Sequence, residues 1–568
     1  MNRNLIYFSV FSLLLSSCGG KQDLPSIAEG GKRYGGVFKF MSEEKVNNLL
    51  PIASIDVYAQ RINGQIFESL LKLDPETMKV IPSIAESYTV SKDAKTFTFK
   101  IRKGVFFHDD ECFGGSGREV TAEDIRFTLE MVCSGFRENK MAYLLVDRIE
   151  GAKDFQTLSK KKLDPSGISG VKVIDDQTIR IKLVKPFIGF DKTLCHINLG
   201  ILAKEAYEKY GANMKSHPVG SGPFRLEKMD DKGIVLARNP HYWKKDEFGN
   251  QLPFLEKLEM TYVKDKRSEL LAFRKKQIDI VFEIPVDDVE NILGSLKEAQ
   301  QGKNVKHRVE SKPSLNMNYI GFACESEEFK DVNVRKAFNL AVDREFIVNH
   351  VLKGEGWPAV NGFVPPIENY HYENVIGFKS DIPKAKELLS LAGYPNGKGF
   401  PVLDFYVNAV EGSSKHKMCQ GIADELKKNL NVTLNVKLCS IQERSKAIIS
   451  GKAKIWRSGW IADYPDAENF LSLFYSKNIK DNEADVNAFR FKDSNFDQLF
   501  EIATTELDEN KRNDLFSLCN QIITDKAPVM PIMTDDFMVM INARIRDFKT
   551  NSMEILDFSS VHIKESKK

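Results

Sequence analysis

Between residues 456 and 471 the chain places Trp456, Arg457, Gly459, Trp460, Asp463, Pro465, Asp466 and Glu468. A carboxylate is the natural partner of an ammonium group, and a guanidinium fork that of a carboxylate. An indole supplies a rigid apolar wall with one donor at its edge. Gly459 lets a partner's backbone approach closely, and Pro465 stops regular pairing just past Asp463. An apolar strand over 454–457 running into this turn would set an aromatic plate and a carboxylate on one pocket wall, suited to a small ligand with a positive end. The same residues equally describe a core tryptophan beside a capped, solvated turn, and spacing alone leaves both open.

Other chemistry is poorly represented. No Gly-x-Ser-x-Gly, His-Glu-x-x-His or Walker pattern occurs, and the nine histidines are dispersed. His108 and His241 lie beside loops and are expected to be structural. Cys112, Cys133, Cys195, Cys324, Cys419, Cys439 and Cys519 are scattered, with no Cys-x-x-Cys, so neither a zinc site nor a redox motif is indicated. Some could pair in an oxidising compartment, and their odd number leaves at least one free. No metal and no cofactor is expected. A net charge of +2 on 568 residues gives no footprint for nucleic acid.

The start of the chain is more specific. Arg3 is the one charged residue before Cys18, and an apolar stretch over 5–15 precedes Leu15-Ser16-Ser17-Cys18-Gly19. A basic start, a short apolar stretch and small residues form a secretory signal over 1–17. The sequence before Cys18 resembles the bacterial lipobox, which implies cleavage before Cys18, its acylation, and a flexible tether over 18–33. No internal apolar run approaches the ~20 residues of a membrane span.

The length calls for several domains. Helical spacing predicts a helix over 57–73. Phe97, Phe99 and Ile101 alternate on one face of a strand. Thr121 and Asp124 open a helix that runs to about Cys133. A strand pair with a turn at Asp175-Asp176 covers 171–183, so that 66–185 forms a compact α+β unit. Strands follow near 224, 234, 258 and 278, with a helix over 266–276. Later, Asp331, Asp343 and Asp381 each begin a helix. A strand over 402–407, a helix over 417–430 and a strand over 432–438 imply a parallel β-α-β unit. The Trp456 stretch then falls at the carboxyl end of the next strand, where α/β ligand sites lie. Helices over 496–505 and 509–525 and strands over 529–542 follow. The basic runs over 160–162 and 264–267 read as solvated faces.

Several segments together resemble solute-binding protein family 5 of bacterial ABC importers, the oligopeptide and dipeptide receptors. They are Phe97-Thr98-Phe99 with Arg102-Lys103-Gly104-Val105-Phe106-Phe107-His108-Asp109; Val120-Thr121-Ala122-Glu123-Asp124; Gly220-Ser221-Gly222-Pro223-Phe224 with Arg238-Asn239-Pro240-His241-Tyr242-Trp243; Asp331 to Ala337 with Ala341-Val342-Asp343-Arg344; Ala392-Gly393-Tyr394-Pro395; and Gly459-Trp460-Ile461-Ala462-Asp463-Tyr464. They keep the family's order.

The resemblance implies an α/β, type 2 periplasmic-binding-protein-like fold, with two lobes joined by a two-strand hinge and an extra small α+β domain. Lobe I would comprise 34–65, 186–313 and 532–568, the small domain 66–185, and lobe III 314–531. The resemblance further implies that Asp463 receives a peptide ammonium, that Trp460 lines the cavity beside Gly459, that Arg457 receives a peptide carboxylate, and that Tyr143 reaches the ligand from the small domain. The loop over 111–118 is longer than usual. The implied function is a monomeric, lipid-anchored receptor at the periplasm or cell surface that delivers short peptides to ABC permease subunits and is not an enzyme. The alternatives are the same fold holding a nickel chelate, haem or oligosaccharide, or a peptide-binding chaperone or sensor without import.

Overall fold

The computed structural model describes residues 27–282 and 308–564, apart from 55, 482, 483 and 485. The signal over 1–17 and Cys18 lie outside the described residues. Of the expected tether, residues 27–33 pack rather than dangle. Ile27 bridges Arg33, Ala28 is buried with Tyr242, Leu252 and Phe254, and Glu29 N donates to Asn250 Oδ1 at 3.0 Å.

The first lobe carries two sheets. In one, Val37–Ser42 runs parallel to Lys257–Tyr262, which pairs antiparallel with Gly233–Arg238 and through it with Phe224–Asp230. In the other, Asp536–Ile541 lies between Ile280–Phe282 and Arg308–Pro313. A four-stranded sheet of Ala85–Val90, Thr96–Ile101, Thr178–Lys182 and Val171–Asp175 forms the small α+β unit. Its helix Ala122–Cys133 begins as the sequence predicts, with Asp124 Oδ2 accepting from Thr121 N at 2.9 Å. The alternating Phe97, Phe99 and Ile101 are buried in the same apolar cluster as Phe38 and Ile66 of the first lobe. The small unit therefore shares a continuous core with that lobe.

The second lobe is built on one six-stranded sheet, in the order Trp357–Pro358, Val529–Thr534, Asn316–Phe322, Ile455–Ile461, Leu403–Asn408, Leu434–Cys439. The expected β-α-β unit is present, with helix Ser414–Leu430 between the parallel strands Leu403–Asn408 and Leu434–Cys439. Alternation along Asn316–Phe322 sends Ile320 and Phe322 into one core and Met317 and Tyr319 into the core on the opposite face.

Two crossings join the lobes. The chain leaves Arg308–Pro313 in the first lobe and enters Asn316–Phe322 in the second, and it returns from Val529–Thr534 to Asp536–Ile541. The crossings touch, since Ser314 N donates to Asp535 O at 3.0 Å.

Two local expectations are corrected. The helix predicted over 57–73 ends at Ile66. Ile66 O, which would accept from Leu70 in a longer helix, instead accepts from Gly222 N at 2.8 Å, and Leu71–Leu73 pairs with Val80–Pro82 as a strand. The strand expected over 454–457 is Ile455–Ile461, because the interior strand Asn316–Phe322 pairs with it along its whole length. Cys112, Cys133, Cys195, Cys324, Cys419, Cys439 and Cys519 are all free, and the described residues contain no cluster fit to hold a metal ion. No described helix is long and apolar enough to cross a membrane.

Candidate ligand-binding site

The two tryptophans of the 456–471 stretch go to different places. Trp456 is fully buried, stacked on Phe489 at 6.1 Å, and a Cβ on Gly321 would sit 2.6 Å from its ring. Trp460 is half-buried and lines the space between the lobes. That space is a cleft with two connected compartments, of about 900 Å³ and about 310 Å³. Ser458, Gly459, Trp460 and Ile461 border both.

This wall is an open strand edge. Leu403–Asn408 pairs with Ile455–Ile461 only at Phe405↔Ile455 and Tyr406↔Trp456. From Arg457 onward that edge has no strand partner among the described residues, and the cleft lies against it. At Gly459 even a methyl would come within 3.3 Å of Arg457 Nη2, so the wall stays clear for a backbone to approach.

Asp463 follows the strand end and faces the smaller compartment. Its carboxylate holds three donors. Tyr143 Oη and Asn469 Nδ2 each donate to Oδ2 at 2.8 Å, and His196 Nε2 lies 3.2 Å from Oδ1. Asn198 N donates to His196 Nδ1 at 3.1 Å, which leaves Nε2 to carry the proton given to Asp463. Asn469 is fixed in turn: its Oδ1 accepts from Trp460 Nε1 at 2.8 Å and from Asp463 N at 3.0 Å. A carboxylate offers about four acceptor positions, so one on Oδ1 remains, on a side chain 12% exposed. A half-buried carboxylate with one unfilled position, facing a cavity, has the chemistry to accept from a cationic donor.

Asp463 and Asn469 belong to the second lobe, whereas Tyr143 and His196 come from across the cleft. The lobes are thus in contact at the site. Farther along the same segment, Arg148 of the small unit inserts between Glu468 and Tyr464, with Nη2 at 2.9 Å from both Glu468 oxygens and 3.0 Å from Tyr464 Oη. Its guanidinium lies 4.0 Å from the Phe187 ring centroid. Burial works against the Arg148 charge, but Glu468, Tyr464 and Asp466 more than offset it and raise its pKa. Asp466 is held by a bidentate pair with Arg512, both contacts 2.9 Å, and by Lys192 at 3.6 Å from the other side. Burial opposes its charge, yet Arg512 and Lys192 pull its pKa down to about 2.

A sequence profile of the bacterial extracellular solute-binding proteins, family 5 (Middle), matches residues 79–482. The chain belongs to this family. Among its relatives are the oligopeptide-binding protein OppA of Bacillus subtilis (28% identical, 92% of each chain covered), the heme-binding protein A of Haemophilus influenzae (28%, 85% of this chain and 84% of that one) and the dipeptide-binding protein of Escherichia coli (26%, 88% of this chain and 89% of that one). Its fold matches that of the Helicobacter pylori periplasmic binding protein DppA, solved with the peptide STSA, at a TM-score of 0.80 with 23% identity over 94% of this chain and 99% of that one. The murein tripeptide binding protein of Escherichia coli matches at 0.79 with 21% identity, over 95% of this chain and 100% of that one. The α/β, two-lobed type 2 periplasmic-binding fold with a small extra domain is therefore the fold of this chain.

In this family 5 protein, Gly459, Trp460, Asp463 and Tyr143 meet in the smaller compartment, and Arg457 borders the larger one. Arg457 is 6% exposed, its Nη2 donates to Asn318 Oδ1, and its Nε has no hydrogen-bond partner. His108 is buried, Nε2 lying 2.9 Å from Gly222 O, and burial lowers its pKa to about 4. His241 is exposed, 3.6 Å from Asp109. The loop over 111–118 borders neither compartment. In the run over 264–267, Lys264 and Arg267 are exposed as expected, and Asp265, Lys266 and Arg267 also border the larger compartment. Sequence reading missed His196, Asn469 and Arg148. His196 lies in no pattern of its own, and only Asn469, six residues past Asp463, had a signal in its polarity within an apolar helical turn.

Proposed function

We propose that this chain is the substrate-binding component of an ABC importer, which closes its lobes over a short peptide and hands it to permease subunits. One observation carries this reading: a half-buried carboxylate with one unfilled acceptor position stands at the end of an open strand edge, inside a cleft between two lobes. Asp463 takes the peptide's ammonium and Tyr143 and His196 orient the carboxylate. Ser458 to Ile461 offer backbone groups to an extended chain, a mode of recognition indifferent to side chains. Trp460 and Gly459 shape the wall, and Arg457 takes a peptide carboxylate.

Support comes from the family and from relatives named for oligopeptide and dipeptide binding. A relative is named for haem, but His196, the one imidazole bordering the cleft among the described residues, already uses both nitrogens. In this reading residues 34–65, 186–313 and 532–568 form one jaw with the small domain 66–185 fused to it, and 314–531 form the other. The signal over 1–17 is removed, Cys18 is acylated, and the monomer is lipid-tethered at the periplasm or cell surface. Its task is capture, without catalysis, and nucleic acid is not a partner.

Native mass spectrometry of the protein purified with its ligand in place tests the proposal. A series of excess masses matching short peptides is expected. A single excess mass matching haem, a metal chelate or a sugar would overturn it.

A further inference from the structure

Beyond the ammonium end, the larger compartment holds a second constellation at the hinge. Arg61, from the first-lobe helix Val57–Ile66, and Arg457, from the second-lobe strand, both border it. Both are buried: the Arg61 side chain is 9% exposed and Arg457 is 6% exposed. Each has a hydrogen-bond donor, Nε, with no partner. Arg61 lies flat, 4.5 Å from the Phe282 ring centroid, with Nη2 3.9 Å from Glu554 Oε2. Both guanidiniums border the same compartment, and Arg61 Nη2 has no carboxylate nearer than Glu554 at 3.9 Å among the described residues, which leaves it short of a close anionic partner.

Both guanidiniums already have a resident anion. Glu554 stands beside Arg61. Asp535, on the return crossing of the hinge, is joined to Arg457 through Asn318, whose Nδ2 donates to Asp535 Oδ2 at 2.6 Å while its Oδ1 accepts from Arg457. Asn316 Nδ2 lies 3.3 Å from Asp535 Oδ2 and 3.4 Å from Glu554 Oε1, tying the two acids together. An incoming carboxylate would be a third anion facing two guanidiniums in a buried space.

We propose that Arg61 and Arg457, one from each lobe, form a single carboxylate subsite guarded by Asp535, and that a ligand's carboxylate enters it together with one proton. The proposal rests on the peptide reading above and adds a residue of the opposite lobe and a linked protonation to it. The proton goes from solvent to Asp535, which becomes neutral and stops competing for Arg457.

The charged groups around Asp535 favour that choice. Burial raises its pKa to about 6; Asn318 opposes this, Glu554 adds to it, and Arg457 and Lys415 oppose it. Asp536 beside it is bound to Ser311 and Trp357, and Arg444 to Asn408 and to Arg457 O. Burial thus brings the Asp535 carboxyl towards protonation near neutral pH, and a further anion beside it raises its pKa again. The raised pKa means that proton uptake accompanies binding, so affinity increases as pH falls towards 6. A ligand carboxylate held by both lobes also favours closure directly, because the open form cannot make both contacts.

Calorimetry of the full chain with trialanine and with trialanine amide, at pH 7 in two buffers of different ionisation enthalpy, tests this. The acid is expected to take up about one proton more than the amide, and to gain roughly tenfold in affinity from pH 8 to pH 6. D535N is expected to abolish the extra proton uptake, and R61M to shrink the preference for acid over amide about tenfold. Equal proton counts for acid and amide, or an unchanged preference in R61M, would overturn the proposal while leaving the peptide reading in place. Binding of neither compound would overturn the peptide reading and the subsite with it.

Discussion

Tyr143 donates its hydroxyl to Asp463 Oδ2 at 2.8 Å across the cleft. The carboxylate proposed to receive the ligand is therefore also a contact between the lobes, and its geometry is set only when they approach. Replacing Tyr143 with Phe removes one of three donors while keeping the ring. The expected cost is ~0.5–1.5 kcal/mol of peptide affinity, the usual worth of one hydrogen bond, with thermal stability little changed. Calorimetry on Y143F beside H196F, which loses another of the three donors, checks this; a full loss of binding in Y143F would mean that the tyrosine touches ligand directly.

Arg148 bridges the lobes away from the ligand cleft. Its side chain is 16% exposed and that of Glu468 4%, so removing the arginine leaves a buried unpaired carboxylate, a change that typically costs ~3–5 kcal/mol. R148M is expected to shift the empty protein towards an open form, seen as a larger radius of gyration in small-angle scattering. Saturating peptide should restore the closed value.

Trp456 and Trp460 separate stability from binding. Trp456 is 1% exposed in the core, and W456A should cost ~3–5 kcal/mol of stability. Trp460 lines the cleft, and W460A should weaken peptide binding while moving the unfolding temperature much less. Thermal scans and binding measurements on both variants read the contrast.

Asp466 sets an acid limit. Its pKa in the folded protein is lowered to about 2, against ~3.9 in an unfolded chain. Its stabilising contribution is present above the unfolded value and is lost as pH falls from about 4 through about 2. Stability measured across that window should fall less in D466N than in the parent protein, because the variant has no such charge to lose.

Elements with a local signature were legible in the sequence. The alternation at Phe97, Phe99 and Ile101, the Thr121–Asp124 cap and the β-α-β unit around helix Ser414–Leu430 each follow from local spacing, and each is found. The helix over 57–73 was overextended because Leu70 and Leu71 suit a helix or a strand equally, and a hydrogen bond from Gly222 decides between them. At Asp463 the spacing showed an acid beside tryptophans, but the side chains that hold its carboxylate come from 143, 196 and 469. Arg148, Arg61 and Asp535 were not legible, because what matters in each is a contact between segments hundreds of residues apart.

The ammonium contact at Asp463 is tested most directly by acetylating the ligand. Trialanine and N-acetyl-trialanine present the same backbone and carboxylate and differ at the amine alone. Truncating one partner of a desolvated charge pair costs ~2–5 kcal/mol, so the acetylated peptide should bind about 30-fold to several thousandfold more weakly by calorimetry, and D463N should erase most of that difference. Equal affinity for the two peptides in the parent protein would contradict the assignment of Asp463 as the ammonium receptor.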